Sequence, residues 1–239
     1  MTVDEFISAL KEADIILTKK QIQQFEQYFN MLVVTNENVN LTAITNQPDV
    51  YLKHFYDSLT IAFYEKDLQL ANKSLIDIGA GAGFPSLPLK IVFPNIKITM
   101  VDALQKRVNF LQEVVTTLDL SGVEIVHARA EDIGQDSHYR ERFDYATARA
   151  VARTSVLAEY TLPFVKIGGR FLVMKGSAAE QELADGQKAL AVLGGEVSES
   201  FEFKLPNGDV RYIQMVDKHK KTPKKYPRQA GTPSKKPIN

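Results

Sequence analysis

The sequence predicts an α/β protein in which an N-terminal helical extension precedes a mostly parallel seven-stranded sheet that ends in a C-terminal antiparallel hairpin. Three observations predict it: apolar residues at helical spacing through residues 1–70, short apolar runs alternating with helical patterns from Ser74 onward, and a turn signal between two strand-like runs near the C-terminus. At 239 residues the chain is long enough to bury a core without covalent staples. It divides on composition into an extension (1–70), a ligand-binding domain (71–217) and a basic, proline-rich tail (218–239).

Each element has its own signal. Val3 to Ala13 and Thr18 to Val34 have helical texture; in the second, Ile22, Phe25, Phe29, Leu32 and Val33 recur at helical spacing behind Thr18, a good N-cap. A third helix is expected over Pro48 to Glu65, with proline in its first turn and Val50, Phe55, Leu59 and Phe63 as its apolar stripe. Strands are expected at Ser74–Ile78, Ile96–Val101, Val123–His127, Asp144–Ala148 and Arg170–Met174, with helices between them, which is the alternation of a parallel sheet covered on both faces. Ser200–Leu205 and Val210–Val216 flank Pro206-Asn207-Gly208-Asp209, a hairpin turn.

Composition excludes several chemistries. The chain has no cysteine, which removes disulfides, thiolate zinc sites, iron–sulfur clusters and cysteine nucleophiles. The histidines show no metal-ligand spacing, so no metal is expected. The acidic N-terminus and the absence of any run near roughly 18 apolar residues point away from a leader or a membrane span and toward the cytoplasm. A formal net charge of zero hides an asymmetry: residues 217–239 carry eight Lys/Arg against Asp217 alone, a net of +7, while the first 216 residues carry −7. The tail also holds Pro223, Pro227, Pro233 and Pro237, so it is expected to run extended, either as a solvated terminus or as a phosphate-binding arm.

The most informative stretch is Asp77-Ile78-Gly79-Ala80-Gly81-Ala82-Gly83-Phe84-Pro85, between an apolar strand and a helical pattern. Its three glycines lie where the chain turns sharply and a ligand approaches backbone. The spacing is D-x-G-x-G-x-G, and Phe84 stands where a dinucleotide fingerprint needs its last glycine. With Asp77 leading into the loop, a cationic ligand suits it better than a pyrophosphate, and S-adenosylmethionine, with an ammonium, a sulfonium and no phosphate, meets that requirement. Asp102 ends the next strand 19 residues after Gly83, where a carboxylate accepts hydrogen bonds from a ribose. After the third strand, Ala130 is small enough to admit an adenine and Glu131 is placed to accept from its amine. The fourth strand ends in Arg149 and Arg153, candidates for RNA phosphate or base stacking. His54, Asp57 and Ser58 imitate a hydrolytic triad in composition, but all three lie on one expected helix, where they cannot form a convergent relay.

Several further marks join these residues: Asn40-Leu41-Thr42, His54-Phe55-Tyr56-Asp57-Ser58, Arg129-Ala130-Glu131, Thr147-Ala148-Arg149-Ala150-Val151-Ala152, Lys175-Gly176, Tyr226-Pro227-Arg228 and Gly231-Thr232-Pro233. With them the chain resembles, over nearly its whole length, the glucose-inhibited division protein B family of class I S-adenosylmethionine-dependent methyltransferases. The resemblance implies a Rossmann-like methyltransferase domain at 71–217 and methylation of guanine N7 in the 530 loop of bacterial 16S ribosomal RNA, presented as RNA or as a small-subunit precursor. It implies cofactor contacts at Gly79, Phe84, Asp102, Ala130, Glu131 and Arg149, to which the loop adds Asp77 and Gly81. RNA contacts are expected at Arg153, Lys175, Lys224, Lys225 and Arg228, and Arg149, Arg153 and His54 are the candidates nearest the chemistry.

That chemistry needs little from the protein, since guanine N7 carries an in-plane lone pair and no proton, so alignment replaces a general base. The lack of cysteine removes the thiolate route to a pyrimidine carbon, and the Asn/Asp-Pro-Pro-aromatic segment common in exocyclic amine methylation does not follow strand four. Three alternatives stay open on sequence alone: a methyltransferase acting on another substrate, a non-catalytic rRNA-binding module, and a nicotinamide-dependent oxidoreductase.

Overall fold

The computed structural model describes residues 1–70, 72–149 and 152–238; Ala150 and Val151 of the strand-four motif lie outside the described residues. Seven strands, β1 (Ser74–Ile78), β2 (Lys97–Asp102), β3 (Val123–His127), β4 (Phe143–Arg149), β5 (Val165–Lys175), β6 (Gly195–Lys204) and β7 (Val210–Lys218), form a sheet of order β3-β2-β1-β4-β5-β7-β6. β2–β3, β1–β4 and β4–β5 are parallel, whereas β7 runs antiparallel to both β5 and β6. The order reverses between β1 and β4, and ligands of such sheets bind beyond the carboxyl ends of strands at this kind of reversal. The expected sheet is therefore present with its hairpin, and β1 and β3 have the expected limits. β5 and β6 each begin five residues before the expected start: in β6 the pairing with β7 carries through a polar stretch that no apolar run marks, and in β5 Val165 pairs with Phe143 ahead of a register shift that precedes Arg170.

Residues 1–72 and 80–127 make one compact unit, and residues 73–79 and 128–239 another. In the first, Thr2 and Thr18 open helices Val3–Glu12 and Lys19–Asn36 with capping boxes completed by Glu5 and Gln21, so Thr18 caps as expected. Residues 47–64 are helical behind the Asn46 cap, but Tyr51–Tyr56 form a π-helical stretch. Such a bulge rotates the side chains that follow it relative to an α-helical register. Phe6, Phe25, Tyr28, Tyr51 and Phe55 form an aromatic core, with ring centroids 5.0–5.4 Å apart in five of their pairs. Of the expected stripe on the second helix, Phe25 and Leu32 are buried and Ile22, Phe29 and Val33 only partly so; Tyr28, outside the stripe, is fully buried.

In the second unit, helices Thr154–Thr161 and Ala179–Leu193 pack together, and Gly186 permits it: a Cβ there would stand 2.8 Å from Thr154 Cγ2. The tail needs correcting as an extended, solvated run. Lys218 closes β7 with no exposed surface, and Thr232–Lys235 form a helical turn. Among the described residues no helix is long and apolar enough to cross a membrane.

Candidate functional site

In the first unit the glycine loop is held by its own backbone and by β2. Gly81 and Gly83 have φ of +60° and +97°, a region costly for any residue with a Cβ. Gly83 N–H donates to Ala80 O at 2.8 Å to close the turn, and Ala80 N–H donates to Val101 O at 3.1 Å. Asp102, 3% exposed, then fastens the loop to the end of β2: Oδ2 accepts from Gly81 N–H and Oδ1 from Leu104 N–H, both at 2.9 Å, with Arg107 Nη1 3.7 Å from Oδ2. Each carboxylate oxygen has two lone pairs, so both retain capacity to accept a ligand hydroxyl after these bonds. Leu104, two residues on, is 54% exposed, which leaves an apolar surface beside a buried acid.

A second layer supports the loop. The Tyr28 hydroxyl donates to Ala82 O, and Tyr28 stacks on Phe55 at 5.2 Å. Asn36 Oδ1 accepts from Leu41 and Thr42 N–H, each at 2.9 Å, which orders the Asn40-Leu41-Thr42 segment. Thr42 Oγ1 meets His54 Nε2 at 2.8 Å, and the His54 ring lies over Phe84, centroids 4.5 Å apart and planes inclined by 18°. Phe84, expected as a cofactor contact, is buried in the aromatic core. Ser58 Oγ donates to His54 O at 2.5 Å, so the hydroxyl of the triad-like trio serves the helix backbone. Sequence reasoning missed Tyr28, Asn36 and Leu104; Asn40-Leu41-Thr42, His54-Phe55-Tyr56-Asp57-Ser58 and Phe84 were the residues that pointed toward this layer.

Gly83 illustrates how tightly the loop is built. A Cβ there would collide with the Leu87 side chain and stand 2.9 Å from the Tyr28 hydroxyl, whereas at Gly168, φ +82°, it would meet nothing within 4 Å. Gly168→Ala is expected to lose about 1–2 kcal/mol from backbone strain alone, and Gly83→Ala about 2–4 kcal/mol because overpacking adds to it. Urea unfolding of the two variants measures this, and equal losses would exclude the packing contribution.

In the second unit, Asp77 is fully buried in β1 opposite Thr147 of β4, and Gly79 follows with φ +73°. Arg149, half-buried, ends β4 opposite Met174. Ala130 is buried and Glu131 half-buried on the short turn Ala130–Ile133, and Glu131 Oε1 accepts from Gly231 N–H at 2.9 Å. Arg153 is exposed at the cap of helix Thr154–Thr161. Lys175 Nζ donates to Glu182 Oε2 and Ala152 O, both at 2.7 Å.

Residues 218–236 form a strap with three ionic anchors in this unit. Lys218 Nζ donates to Leu162 O (2.6 Å), Thr222 Oγ1 (2.8 Å) and Val165 O (3.2 Å). Arg140 donates to Gly134 O, Tyr226 O and Thr222 O, each at 2.8 Å. Arg228 clasps the buried Glu159 from Nη2 (2.7 Å) and Nε (3.0 Å), and its backbone N–H adds a bond of 2.7 Å. Six tail lysines, 220, 221, 224, 225, 235 and 236, remain exposed.

Burial pushes the Lys218 amine down to about 8 from an ordinary 10.5, with Arg140 acting in the same direction and Glu141 against it. The native state thus sheds this proton before the unfolded chain does. The penalty for the buried charge is full below about pH 8 and fades toward pH 10.5, so stability from this group rises with pH. The unfolding free energy of the natural protein is expected to gain on that of Lys218→Met by up to about 1.4 kcal/mol per pH unit across that window. Parallel pH curves for the two proteins would contradict it.

Comparison with known proteins follows the same lines. Residues 21–209 match the family described as rRNA small subunit methyltransferase G, GidB. Relatives named ribosomal RNA small subunit methyltransferase G align over the full length of both chains, at 77% identity in Leuconostoc mesenteroides, 55% in Lactococcus lactis subsp. cremoris and 53% in Streptococcus agalactiae. Among solved structures, a 16S rRNA (adenine(1408)-N(1))-methyltransferase from Catenulisporales acidiphilia superposes with a TM-score of 0.52 at 15% identity, covering 71% of this chain and 93% of that one. P. horikoshii TYW2 in complex with MeSAdo gives 0.54 at 14% identity, covering 74% and 66%. These structural likenesses establish the fold, and the sequence matches establish the kinship: the chain belongs to the rRNA small subunit methyltransferase G family.

Proposed function

We propose that this protein transfers the methyl group of S-adenosylmethionine to N7 of a guanine in the 530 loop of 16S ribosomal RNA, in the cytoplasm. The observation that carries the cofactor reading is the buried Asp102 carboxylate, fixed by Gly81 N–H at the mouth of a glycine loop and keeping acceptor capacity for ribose hydroxyls. In the first unit Leu104 offers apolar surface beside Asp102; in the second, the small Ala130 and the Glu131 carboxylate have the chemistry to meet an adenine edge. When bound, the cofactor supplies a methyl on a sulfonium, an electrophile that needs no activation. A guanine N7 lone pair would take that methyl with S-adenosylhomocysteine as the leaving group, and the acceptor has no proton for the protein to remove. The protein's work is therefore alignment, which agrees with a His54 ring tied to Thr42 and stacked on Phe84 rather than held free as a base.

The RNA reading rests on charge. An acidic body repels phosphate, and the six exposed strap lysines are the attraction. Lys175 and Arg228 are engaged by Glu182 and Glu159, so we assign the phosphate contacts chiefly to Lys224 and Lys225, with Arg153 at the exposed end of its helix. Lys224→Gln/Lys225→Gln is expected to raise the KM for RNA and to lower the slope of log affinity against log salt by about one to two. An unchanged slope would move the contacts elsewhere.

The deciding experiment incubates the protein with methyl-labelled S-adenosylmethionine and either rRNA or 30S particles from a strain lacking the gene, followed by nucleoside mass spectrometry. The expected product is 7-methylguanosine in 16S RNA. Label in another nucleoside would keep the methyl transfer and overturn the guanine N7 assignment.

A further inference from the structure

The strap does more than carry lysines. After Arg228 it turns back, and Gly231 N–H reaches Glu131 Oε1 at 2.9 Å while Ser234 Oγ meets the Tyr160 hydroxyl at 2.8 Å. Tyr160 also faces Glu131. Upstream, Pro227 lies on the turn that carries Glu131: a Cβ at Gly134 would stand 2.5 Å from Pro227 Cγ. Gln135 Nε2 adds hydrogen bonds to Lys224 O and Pro227 O at 3.0 and 3.2 Å. The Ala130–Ile133 turn is thus covered by residues about a hundred positions later in the chain.

We infer that residues 228–234 are a positioning element for the cofactor, acting through the Gly231 amide on the Glu131 carboxylate; the inference rests on the proposed adenine contact of Glu131. A half-exposed glutamate on a single helical turn otherwise samples several rotamers, and ordering it on binding costs entropy. The Gly231 amide on Oε1, with the Tyr160 hydroxyl bonded to the same carboxylate, fixes it, and its remaining lone pairs still accept. The tail then has two separable roles. Its lysines point outward to a polyanion, and its inward groups, Arg228, Gly231 and Ser234, order the cofactor's neighbour.

The separation is testable with two proteins. A chain ending at Ala230 removes the Gly231 amide and Ser234 but keeps the Arg228–Glu159 pair. The second protein, Lys224→Gln/Lys225→Gln, removes charge and leaves the inward groups intact. By calorimetry the shortened chain is expected to bind S-adenosylmethionine on the order of tenfold more weakly, the effect of losing a hydrogen bond to a charged group. The lysine variant is expected to bind it as the natural protein does, with only its KM for RNA raised. Coupling of this kind is reciprocal, so saturating cofactor must slow hydrogen exchange at the Gly231 amide of the intact protein by a similar factor. That measurement stands even where the shortened chain fails to fold. Cofactor binding with no change at Gly231 and an unchanged Kd in the shortened chain would overturn the strap's role alone. No binding by the intact protein would overturn the cofactor reading beneath it.

Discussion

Asp102→Ala is expected to weaken S-adenosylmethionine binding by at least about a hundredfold, the sum of two charge-assisted hydrogen bonds to a ribose. The loss has a second source. Asp102 is also the tie between the glycine loop and β2, and its removal leaves the N–H groups of Gly81 and Leu104 without their acceptor. Asp102→Asn separates the two. It keeps the shape and one carbonyl oxygen, but its NH2 must face one of those two N–H donors, so it is expected to fall between the natural protein and the alanine variant. Titration calorimetry with S-adenosylmethionine and with S-adenosylhomocysteine reads both, and urea unfolding reports the loop's share. An Asp102→Ala protein that binds the cofactor within about threefold of the natural one would remove Asp102 from the site, since either lost bond alone is worth more than that.

How much of this the sequence could show depends on the range of the force involved. Thr18 caps its helix and β1 runs from Ser74 to Ile78 as expected, because capping and short apolar runs are local signals. The place of Asp102, at the end of β2 beside the glycine loop, was legible for a related reason: the loop and the end of the next strand stand at fixed spacing in any such βα unit. Tyr28 was not. It lies outside the apolar stripe of its helix, and its hydroxyl finds Ala82 O across 54 residues. Lys218 read as one more charge in a basic run, yet it is fully buried, because three acceptors from Leu162, Val165 and Thr222 converge on its amine. Buried charges are invisible to composition, since what permits them is a partner distant in sequence. The tail's net charge was a poor guide to its conformation, as its two inward cations hold the strap in place.

Arg228→Ala is expected to be the most destabilising single substitution in the strap, at about 3–5 kcal/mol, the range for breaking a buried ion pair by removing one partner. Glu159 has no exposed surface, and its two oxygens take three bonds from the Arg228 side chain besides that of the backbone N–H. The pairing is strong enough to hold the Arg228 guanidinium above its ordinary value, chiefly through the hydrogen bonds to Glu159. Without the guanidinium, Glu159 keeps one backbone donor for a buried charge. Arg228→Lys is expected to recover little, because an ammonium cannot reproduce the planar fork that meets both oxygens. Glu159→Gln placed on Arg228→Ala removes the stranded charge and is expected to restore part of the loss, so a double-mutant cycle over these two positions gives a large coupling energy. Urea unfolding of the four proteins measures it. A loss below about 1 kcal/mol for Arg228→Ala would place the pair among solvent-screened surface bridges. It would also shift the holding of Gly231 against Glu131 from Arg228 to the strap's other ties, Gln135 on Lys224 and Pro227 and Tyr160 on Ser234.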